Sequence, residues 1–232
     1  MYAVPPQDLM AAMDKRPSFW HRVAGERTAY LAFVRATLCE QARSGSLVYH
    51  GLVGHLMLPG ISHVIRVRVI SDMDYRVKAA MEQQNLSRQE ALAHIESLDR
   101  ERRQWIRFLF DVEWDDPHLY DIVLNLGRMT LATASDAVLQ LAEREEFKPT
   151  PESQKAMDNL ALSTLVTAVL ARDPRTREAA GLEASADGGV VTLKGQTALR
   201  GIADAATLVA RQVEGVTEVR SEIVQIRTYP GT

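Results

Sequence analysis

The amino-acid sequence predicts an α/β domain with a parallel sheet, followed by a small α+β domain with the element order αββαβ. Three observations lead to this fold class. Strand-like apolar runs alternate with helical segments over residues 27–145, which is typical of a parallel sheet covered by helices. The segment Lys148-Pro149-Thr150-Pro151 is a stiff, exposed connector, and the pattern changes after it. A chain of 232 residues is also long enough for two modest cores.

The first domain is predicted to begin with helices at residues 8–15 and 27–43, the second of which has apolar residues at helical spacing. The run Val64–Ile70 is the clearest strand. Ser87 and Glu90 fit a capping box, in which each side chain satisfies the other's backbone N–H, and this predicts a long helix over 87–110. The remaining predicted elements are strands at 46–50 and 120–125, a loop or short helix at 52–58, and helices at 72–81 and 130–145.

The second domain is predicted to consist of two helices on one three-stranded sheet. Asp187-Gly188-Gly189 is a hairpin signal, because glycine reaches positive φ at low cost. Each helix has one apolar stripe, which we interpret as core and not as a site. The predicted helices are 155–171 and 200–213, the predicted strands are 182–186, 190–194 and 218–226, and the stripes are Leu162, Leu165, Val166 and Val169, then Ile202, Ala206, Val209 and Val213.

The composition argues against several classes of protein. The chain has 27 basic residues (Lys and Arg) and 30 acidic residues (Asp and Glu). Residues 151–232 carry 9 basic and 10 acidic residues, which leaves 18 basic and 20 acidic residues for residues 1–150. Neither part has the basic excess that nucleic-acid binding requires. Cys39 is the only cysteine, so no internal disulfide is possible and a cysteine-ligated metal site is not expected. No secretion signal and no transmembrane segment are recognised, and we expect a cytoplasmic protein.

Three motifs in the C-terminal part carry a family resemblance: Ala171-Arg172-Asp173-Pro174, Gly189-Val190-Val191-Thr192-Leu193-Lys194-Gly195, and Val213-Glu214-Gly215-Val216-Thr217-Glu218-Val219. At this spacing they resemble the BON domain family of bacterial proteins. The resemblance implies binding of a lipid, a membrane or a protein partner, and no catalytic residues. The domains are accordingly expected at 1–147 and 158–232, with a linker at 148–157.

The N-terminal part resembles the cytidylate kinase-like family of P-loop nucleotide kinases. The blocks that carry the resemblance are Val67-Arg68-Val69-Ile70, Tyr75-Arg76-Val77, and Trp114 to Asn125 (WDDPHLYDIVLN). Between them, Asp99-Arg100-Glu101-Arg102-Arg103 lies where such kinases carry an arginine-bearing lid. The resemblance implies an incomplete P-loop-kinase-like sheet and a site that clamps nucleotide phosphates.

Arginine is suited to this chemistry because its planar guanidinium group forms paired hydrogen bonds with phosphate oxygens. On a helix, Arg100, Arg103 and Arg107 share one face, whereas Arg102 points elsewhere. The alternative is a solvated face whose arginines are bridged to Glu96, Asp99 and Glu101. Both interpretations remain open from the sequence.

Arg66 and Arg68 lie on one face of the predicted strand 64–70, where a buried parallel strand normally avoids charge. Either this face opens into a cleft that binds anions, or the two arginines pair with Asp72, Asp74 or Asp116, which we favour. Arg76 follows the carboxyl end of the strand, where open α/β sheets bind ligands. The candidate nucleotide- or phosphate-binding residues are therefore Arg68, Arg76, Arg100, Arg103 and Arg107.

The 232 residues contain no GxxxxGK[ST] pattern, the loop with which P-loop kinases hold ATP phosphates. We therefore expect no phosphoryl transfer by the chain as given, and no cofactor unless upstream sequence encodes such a loop for ATP and Mg²⁺. Strands 46–50 and 64–70 must then pair directly. Otherwise an open sheet edge would favour self-association into a homo-oligomer.

These observations leave three hypotheses for function. The first is a non-catalytic kinase relative, a pseudokinase, with a regulatory or scaffolding role, a BON binding module and weak affinity for nucleotide or phosphate. The second is a truncated or mis-started cytidylate kinase that transfers a phosphoryl group from ATP to CMP-like nucleotides. The third is lipid or protein binding by the BON-like domain, with the kinase-like half as an oligomerisation platform.

Overall fold

The structure is a computed structural model that describes residues 27–179 and 181–226. The predicted helix at 8–15 lies outside the described residues. In chain order, the helices are α1 (Arg27–Arg43), α2 (Gly54–Met57), α3 (Met73–Gln84), α4 (Arg88–Phe110), α5 (Leu131–Ala142), α6 (Pro151–Arg172) and α7 (Ile202–Arg211), with short 3-10 helices at Pro117–Leu119 and Glu145–Phe147. The strands are β1 (Val67–Ile70), β2 (Ile122–Asn125), β3 (Glu183–Asp187), β4 (Val190–Thr197) and β5 (Glu218–Gln225).

The described residues divide into two compact units. Residues 52–150 form one unit, and residues up to Gly51 join residues from Pro151 onward in the other. These units do not coincide with the sequence domains predicted at 1–147 and 158–232. The reason is that α1 packs along α6. The contact between these two helices is more extensive than that between any other pair of elements that the structure describes.

In the unit of residues 52–150, β1 and β2 pair in parallel, with Val67 opposite Ile122 and Ile70 opposite Asn125. The prediction that residues 46–50 form a strand that pairs with β1 is wrong. This segment has no regular structure, because its residues find no partner strand, and the Tyr49 ring folds back against Gly51. The mixed α/β character of this part of the chain is confirmed.

The helices α3 and α4 pack against each other through a small core. Its buried members are Val77, Ala80, Ala91 and Ile95. The predicted capping box at the start of α4 is confirmed: the backbone N–H of Glu90 donates to the Ser87 hydroxyl at 3.3 Å, and the Ser87 N–H donates to the Glu90 carboxylate at 2.8 Å. These bonds satisfy two N–H groups that a helix start leaves unpaired, and so they determine where α4 begins.

The C-terminal unit contains the predicted αββαβ arrangement, with sheet order β3-β4-β5. The hairpin between β3 and β4 turns at Gly188 and Gly189, whose φ angles are 55° and 90°. β4 and β5 pair in parallel because α7 carries the chain back across the sheet. Both predicted apolar stripes belong to the core beneath this sheet, as expected.

The contact between α1 and α6 is made by small side chains. Ala32, Ala36 and Ala168 form one buried cluster, with Phe33 packed against it. Cys39 is fully buried, which raises the pKa of its thiol. Residues 151–157 of the predicted linker are the first turns of α6, so this helix begins four residues before the predicted Lys155. Pro151 suits the first turn of a helix, because its missing N–H has no partner there in any case.

Candidate functional site

The carboxyl ends of β1 and β2 lie side by side, since the two strands are parallel. Asp72 follows β1, and a turn at Gly127 follows β2. The Gly127 N–H donates to the Asn125 side-chain oxygen at 2.9 Å. A Cβ atom at Gly127 would come within 2.8 Å of an Asp72 carboxylate oxygen, so the Asp72 side chain lies close against this turn. Crevices at this edge are where open α/β sheets bind ligands.

Arg76 lies in the first turn of α3, beside this edge, and is held by Asp99 of α4. Its two terminal nitrogens donate to the two Asp99 carboxylate oxygens, each at 2.7 Å. These hydrogen bonds raise the pKa of Arg76, and the ion pair is partly shielded from water. Arg76 is therefore fixed in place, and it ties the sheet edge to the helix that carries the other predicted arginines.

Arg100 and Arg103 are exposed on α4, and neither makes a hydrogen bond or ion pair with any residue that the structure describes. Asp99 binds Arg76 instead, Glu101 accepts from Ser97 at 3.1 Å, and the exposed Glu96 forms no ion pair with either arginine among the described residues. The alternative of a helix face whose Arg100 and Arg103 are bridged to Glu96, Asp99 and Glu101 is thus not what the structure contains. Within the part of the chain that the structure describes, no carboxylate pairs with these two arginines.

Arg107 shares the helix face of Arg100 and Arg103, but unlike them it forms an ion pair. Its guanidinium group lies 2.7 Å from the Glu113 carboxylate, and both side chains are largely exposed. Exposed ion pairs contribute little free energy, so this pair could exchange for another anion. Arg107 therefore stays a weaker candidate than its two neighbours on α4.

The structure places Arg68 apart from the α4 arginines. Its guanidinium group lies over the Trp114 ring at 5.0 Å and over the Tyr120 ring at 5.4 Å, and it donates to the Trp114 carbonyl at 2.7 Å. The Tyr120 ring in turn stacks on His55, with centroids 4.7 Å apart. Trp114 and Tyr120 precede β2, so these stacked side chains lie at the amino ends of the strands, opposite the edge at Arg76.

Arg66, one residue before β1, lies in the same region. Its side chain donates to the carbonyls of Leu58 and Val64 at 2.9 and 3.1 Å and lies 3.6 Å from the Asp121 carboxylate. The predicted pairing of Arg66 and Arg68 with Asp72, Asp74 or Asp116 is wrong. Those carboxylates have other surroundings: Asp74 pairs with Arg88, and Asp116 pairs with His118. The sequence could not show this, because Asp121 and Trp114 are brought to Arg66 and Arg68 only by pairing of the strands.

Sequence reasoning missed three residues of this region, His55, Tyr120 and Asp121. His55 lies in the four-residue helix α2, and burial, reinforced by the nearby charges of Arg66 and Arg68, lowers its pKa to about 4. Its Nε2 atom is buried without a hydrogen-bond partner in the described residues. Its spacing from the other histidines follows no known motif, so no signal in the sequence marks it.

In the C-terminal unit, a shallow cavity of about 350 Å³ opens between α6 and α7. Asp173 lies at its rim, and hydrogen bonds from Arg175 lower the pKa of Asp173 to about 2. The apolar side chains of Leu199, Leu208 and Val224 in this unit are 43%, 54% and 56% accessible. Within the described ranges, no cluster of His, Cys, Asp or Glu could hold a metal ion. In that same part of the chain, no helix has the length and apolar character needed to cross a membrane.

Comparison with known proteins gives matches to two family profiles and to solved structures. The profile of the cytidylate kinase-like family matches residues 3–128, and that of the BON domain matches residues 158–227. A crystal structure of an uncharacterized protein from Eubacterium ventriosum is 19% identical, with a TM-score of 0.48 over 60% of this chain and 91% of that one. No curated protein matches. The chain therefore belongs to the cytidylate kinase-like family and carries a BON domain at its C-terminal end.

Proposed function

We propose that the kinase-like part of the chain binds a nucleotide or another phosphorylated ligand, and that the BON domain binds a protein or lipid partner. The ligand site consists of Arg76 at the carboxyl edge of the β1–β2 sheet together with Arg100 and Arg103 on α4. Binding without phosphoryl transfer fits a regulatory or scaffolding role. The functional division follows the sequence domains, 1–147 and 158–232.

One observation carries this proposal. Arg100 and Arg103 are exposed and have no partner among the described residues, while Asp99, four residues before Arg103, is fully occupied by Arg76. Two adjacent guanidinium groups without a carboxylate form a site for an anion with several oxygens, and phosphate fits this requirement. Membership of a nucleotide-kinase family supports a nucleotide as the carrier of that phosphate.

The test is calorimetric titration of the full chain with CMP, CDP and orthophosphate, and of the double variant Arg100→Gln/Arg103→Gln. Loss of a charge-assisted hydrogen bond costs about 1.5–3 kcal/mol, so we expect the double variant to bind at least about tenfold more weakly. Arg102→Gln is the matched control. It removes one positive charge, half of what the double variant removes, from an exposed arginine on the same helix that points elsewhere, and it should change the affinity by less than about twofold.

Two results would count against the proposal. The first is the absence of heat with all three ligands at concentrations of about 1 mM or more, since a useful site must bind in that range. The second is an equal loss of affinity in Arg102→Gln and in the double variant. That result would mean that the ligand responds to the net charge of the helix and not to a site.

For the BON domain, the exposed apolar residues Leu199, Leu208 and Val224 favour a partner that covers them. Co-sedimentation of the full chain with phosphatidylcholine vesicles separates a lipid from a protein partner. Replacing Leu208 by Ser should abolish co-sedimentation if lipid is bound, because Leu208 is the exposed apolar residue of α7. Failure to sediment with vesicles would leave a protein partner as the proposal.

Self-association is proposed on a separate observation. Among the described residues, β1 pairs only with β2, and Val69 and Ile70 are 56% and 38% exposed. An unpaired edge with apolar side chains favours a second copy of the chain. Light scattering should give a mass that rises with protein concentration, and Val69→Lys should return it to the monomer mass. A monomer mass at all concentrations would refute this.

A further inference from the structure

The sheet of the C-terminal unit ends in a long strand that has no outer neighbour among the described residues. Its order is β3-β4-β5, and β5 pairs with β4 over all eight of its residues. The Ile226 N–H donates to the Thr197 carbonyl at 2.9 Å, so the even-numbered residues of β5 direct their backbone groups towards β4. Because these groups alternate in direction along a strand, those of Val219, Ser221 and Ile223 point outward. Such an edge can pair with another strand.

The side chains of β5 divide between the two faces of the sheet. The odd-numbered residues face the core, where Val219 is buried and Ile223 packs against the same cluster. The even-numbered residues lie on the open face, where the Arg220 and Glu222 side chains are 62% and 59% exposed. A strand added at this edge would therefore meet apolar side chains on one face and charges of both signs on the other.

Antiparallel pairing of β5 with its own copy has few possible registers. A two-fold axis perpendicular to the sheet keeps each side chain on its face, so one residue must lie opposite itself. An axis at Arg220 or at Glu222 would place that charge opposite its copy, which is destabilising. An axis at Ser221 places Arg220 opposite Glu222 of the second copy, and Val219 opposite Ile223 of the second copy. This register is complementary on both faces.

The ion pairs that Arg220 and Glu222 already form are compatible with this contact. Arg220 lies 2.7 Å from Glu218 of its own strand, and Glu222 lies 3.4 Å from Lys194 of β4. All four side chains are more than half exposed, and such pairs contribute little free energy, so they can be shared with a further charge. In the same register, Glu218 lies opposite Val224 of the second copy. No two like charges of β5 are then directly opposite.

From the unpaired edge and this self-complementary pattern, we propose that β5 pairs antiparallel with β5 of a second copy of the chain, with the two-fold axis at Ser221. The pairing joins two three-stranded sheets into one. A single strand pair covers less than the about 800 Å² per partner of a standard interface, so the contact is weak by itself. It acts where copies are already held together, for instance through the β1 edge. Val69→Lys alone therefore stays monomeric in light scattering.

The test is disulfide trapping in the full chain with Val69→Lys, so that the β1 edge does not contribute. In the proposed register Ser221 lies opposite itself in a hydrogen-bonded pair, whose Cα atoms are about 5.5 Å apart, and a disulfide spans this distance. Ser221→Cys should therefore form a covalent dimer in a glutathione redox buffer, measured on a non-reducing gel after equilibration. The native Cys39 is fully buried and present in every variant.

Glu222→Cys is the matched control, since Glu222 is an exposed residue of the same strand. In the proposed register its Cα atom lies about 8 Å from that of its copy, because the two are offset by two residues along the strands. A disulfide cannot span more than about 7 Å between Cα atoms. Glu222→Cys should therefore form far less covalent dimer than Ser221→Cys.

Exchange of charges tests the register in the Ser221→Cys chain. Arg220→Glu and Glu222→Arg each create two pairs of like charges across the axis, and each should lower the yield of covalent dimer about threefold to tenfold. The combined exchange recreates two pairs of opposite charge and should restore the yield, which also shows that these chains fold. The single exchanges change the net charge in opposite directions, so general repulsion between copies would move the two yields in opposite directions.

The proposal is overturned if Ser221→Cys gives no more covalent dimer than Glu222→Cys. It is also overturned if either single exchange leaves the yield unchanged or raises it, or if the combined exchange does not restore it. These outcomes are independent of the nucleotide site, because no ligand is added, and of the β1 edge, because every variant carries Val69→Lys.

Discussion

The neutral His55 makes the stability of residues 52–150 depend on pH. The pKa of His55 is about 4 in the folded protein, against 6.5 for an unperturbed histidine, because of burial and then of the charges of Arg66 and Arg68. The unfolded chain therefore takes up the proton first as the pH falls. This contribution to stability is fully present above about pH 6.5, and it decreases as the pH falls towards 4.

The size of the effect follows from the two pKa values. Their difference of about 2.5, at 1.36 kcal/mol for each pKa unit, sets an upper limit of about 3 kcal/mol. The His55 ring is only partly shielded from water, so screening reduces the expected value to about 1–2 kcal/mol. Replacing His55 by Phe retains an aromatic ring on Tyr120 and removes the titrating group, so the variant should lack this dependence.

The assay is urea unfolding of the wild type and of His55→Phe between about pH 4.5 and pH 7, followed by tryptophan fluorescence. Trp105 and Trp114 both lie in the unit that contains His55. The difference in unfolding free energy between the two proteins isolates His55, because the other titrating groups are common to both. A difference that stays constant across this pH range, or one that favours the wild type as the pH falls, would show that the reasoning is wrong.

Two further predictions concern the C-terminal unit. Leu193→Ala should lower its unfolding free energy by about 2–4 kcal/mol, because Leu193 is fully buried in the core; thermal unfolding should show a much smaller effect for the exposed Leu208→Ala. Gly189→Ala should destabilise by at least about 1 kcal/mol, because φ is 90° there and the new Cβ would lie 2.9 Å from the Thr217 hydroxyl. Gly181→Ala is its control, since that glycine also has positive φ but has open space around it. An equal loss of unfolding free energy in both variants would mean that the positive φ alone causes the effect.

The arginines show how far local sequence could predict the candidate site. Helical spacing correctly placed Arg100, Arg103 and Arg107 on one helix, and the strand predicted at 120–125 is present as β2. Spacing could not show which of these arginines is neutralised. Asp99 is held by Arg76 from another helix, and Arg107 is held by Glu113 beyond the end of α4. Such pairings depend on tertiary packing, which adjacent residues do not encode.

The strand at 46–50 is the clearest wrong prediction. A run such as Leu47-Val48-Tyr49 favours extended backbone, but a strand exists only where another strand accepts its hydrogen bonds. β1 pairs instead with β2. The segment at 46–50 has no partner strand among the described residues, and its Val48 side chain is 97% exposed. The strand propensity of these residues therefore describes only their local backbone, whereas the presence of a partner strand depends on the tertiary structure.

By itself, the sequence determined the limits of most helices, the capping box at Ser87, the hairpin at Gly188 and Gly189, and the two families to which the chain is related. These features depend on neighbouring residues or on short motifs, whose energies are local. Only the tertiary structure decided that α1 packs on α6, that Arg76 binds Asp99, and that His55 and Arg66 line a cleft with Asp121. Those contacts join residues far apart in the chain, and they form only when burial of the cores brings their elements together.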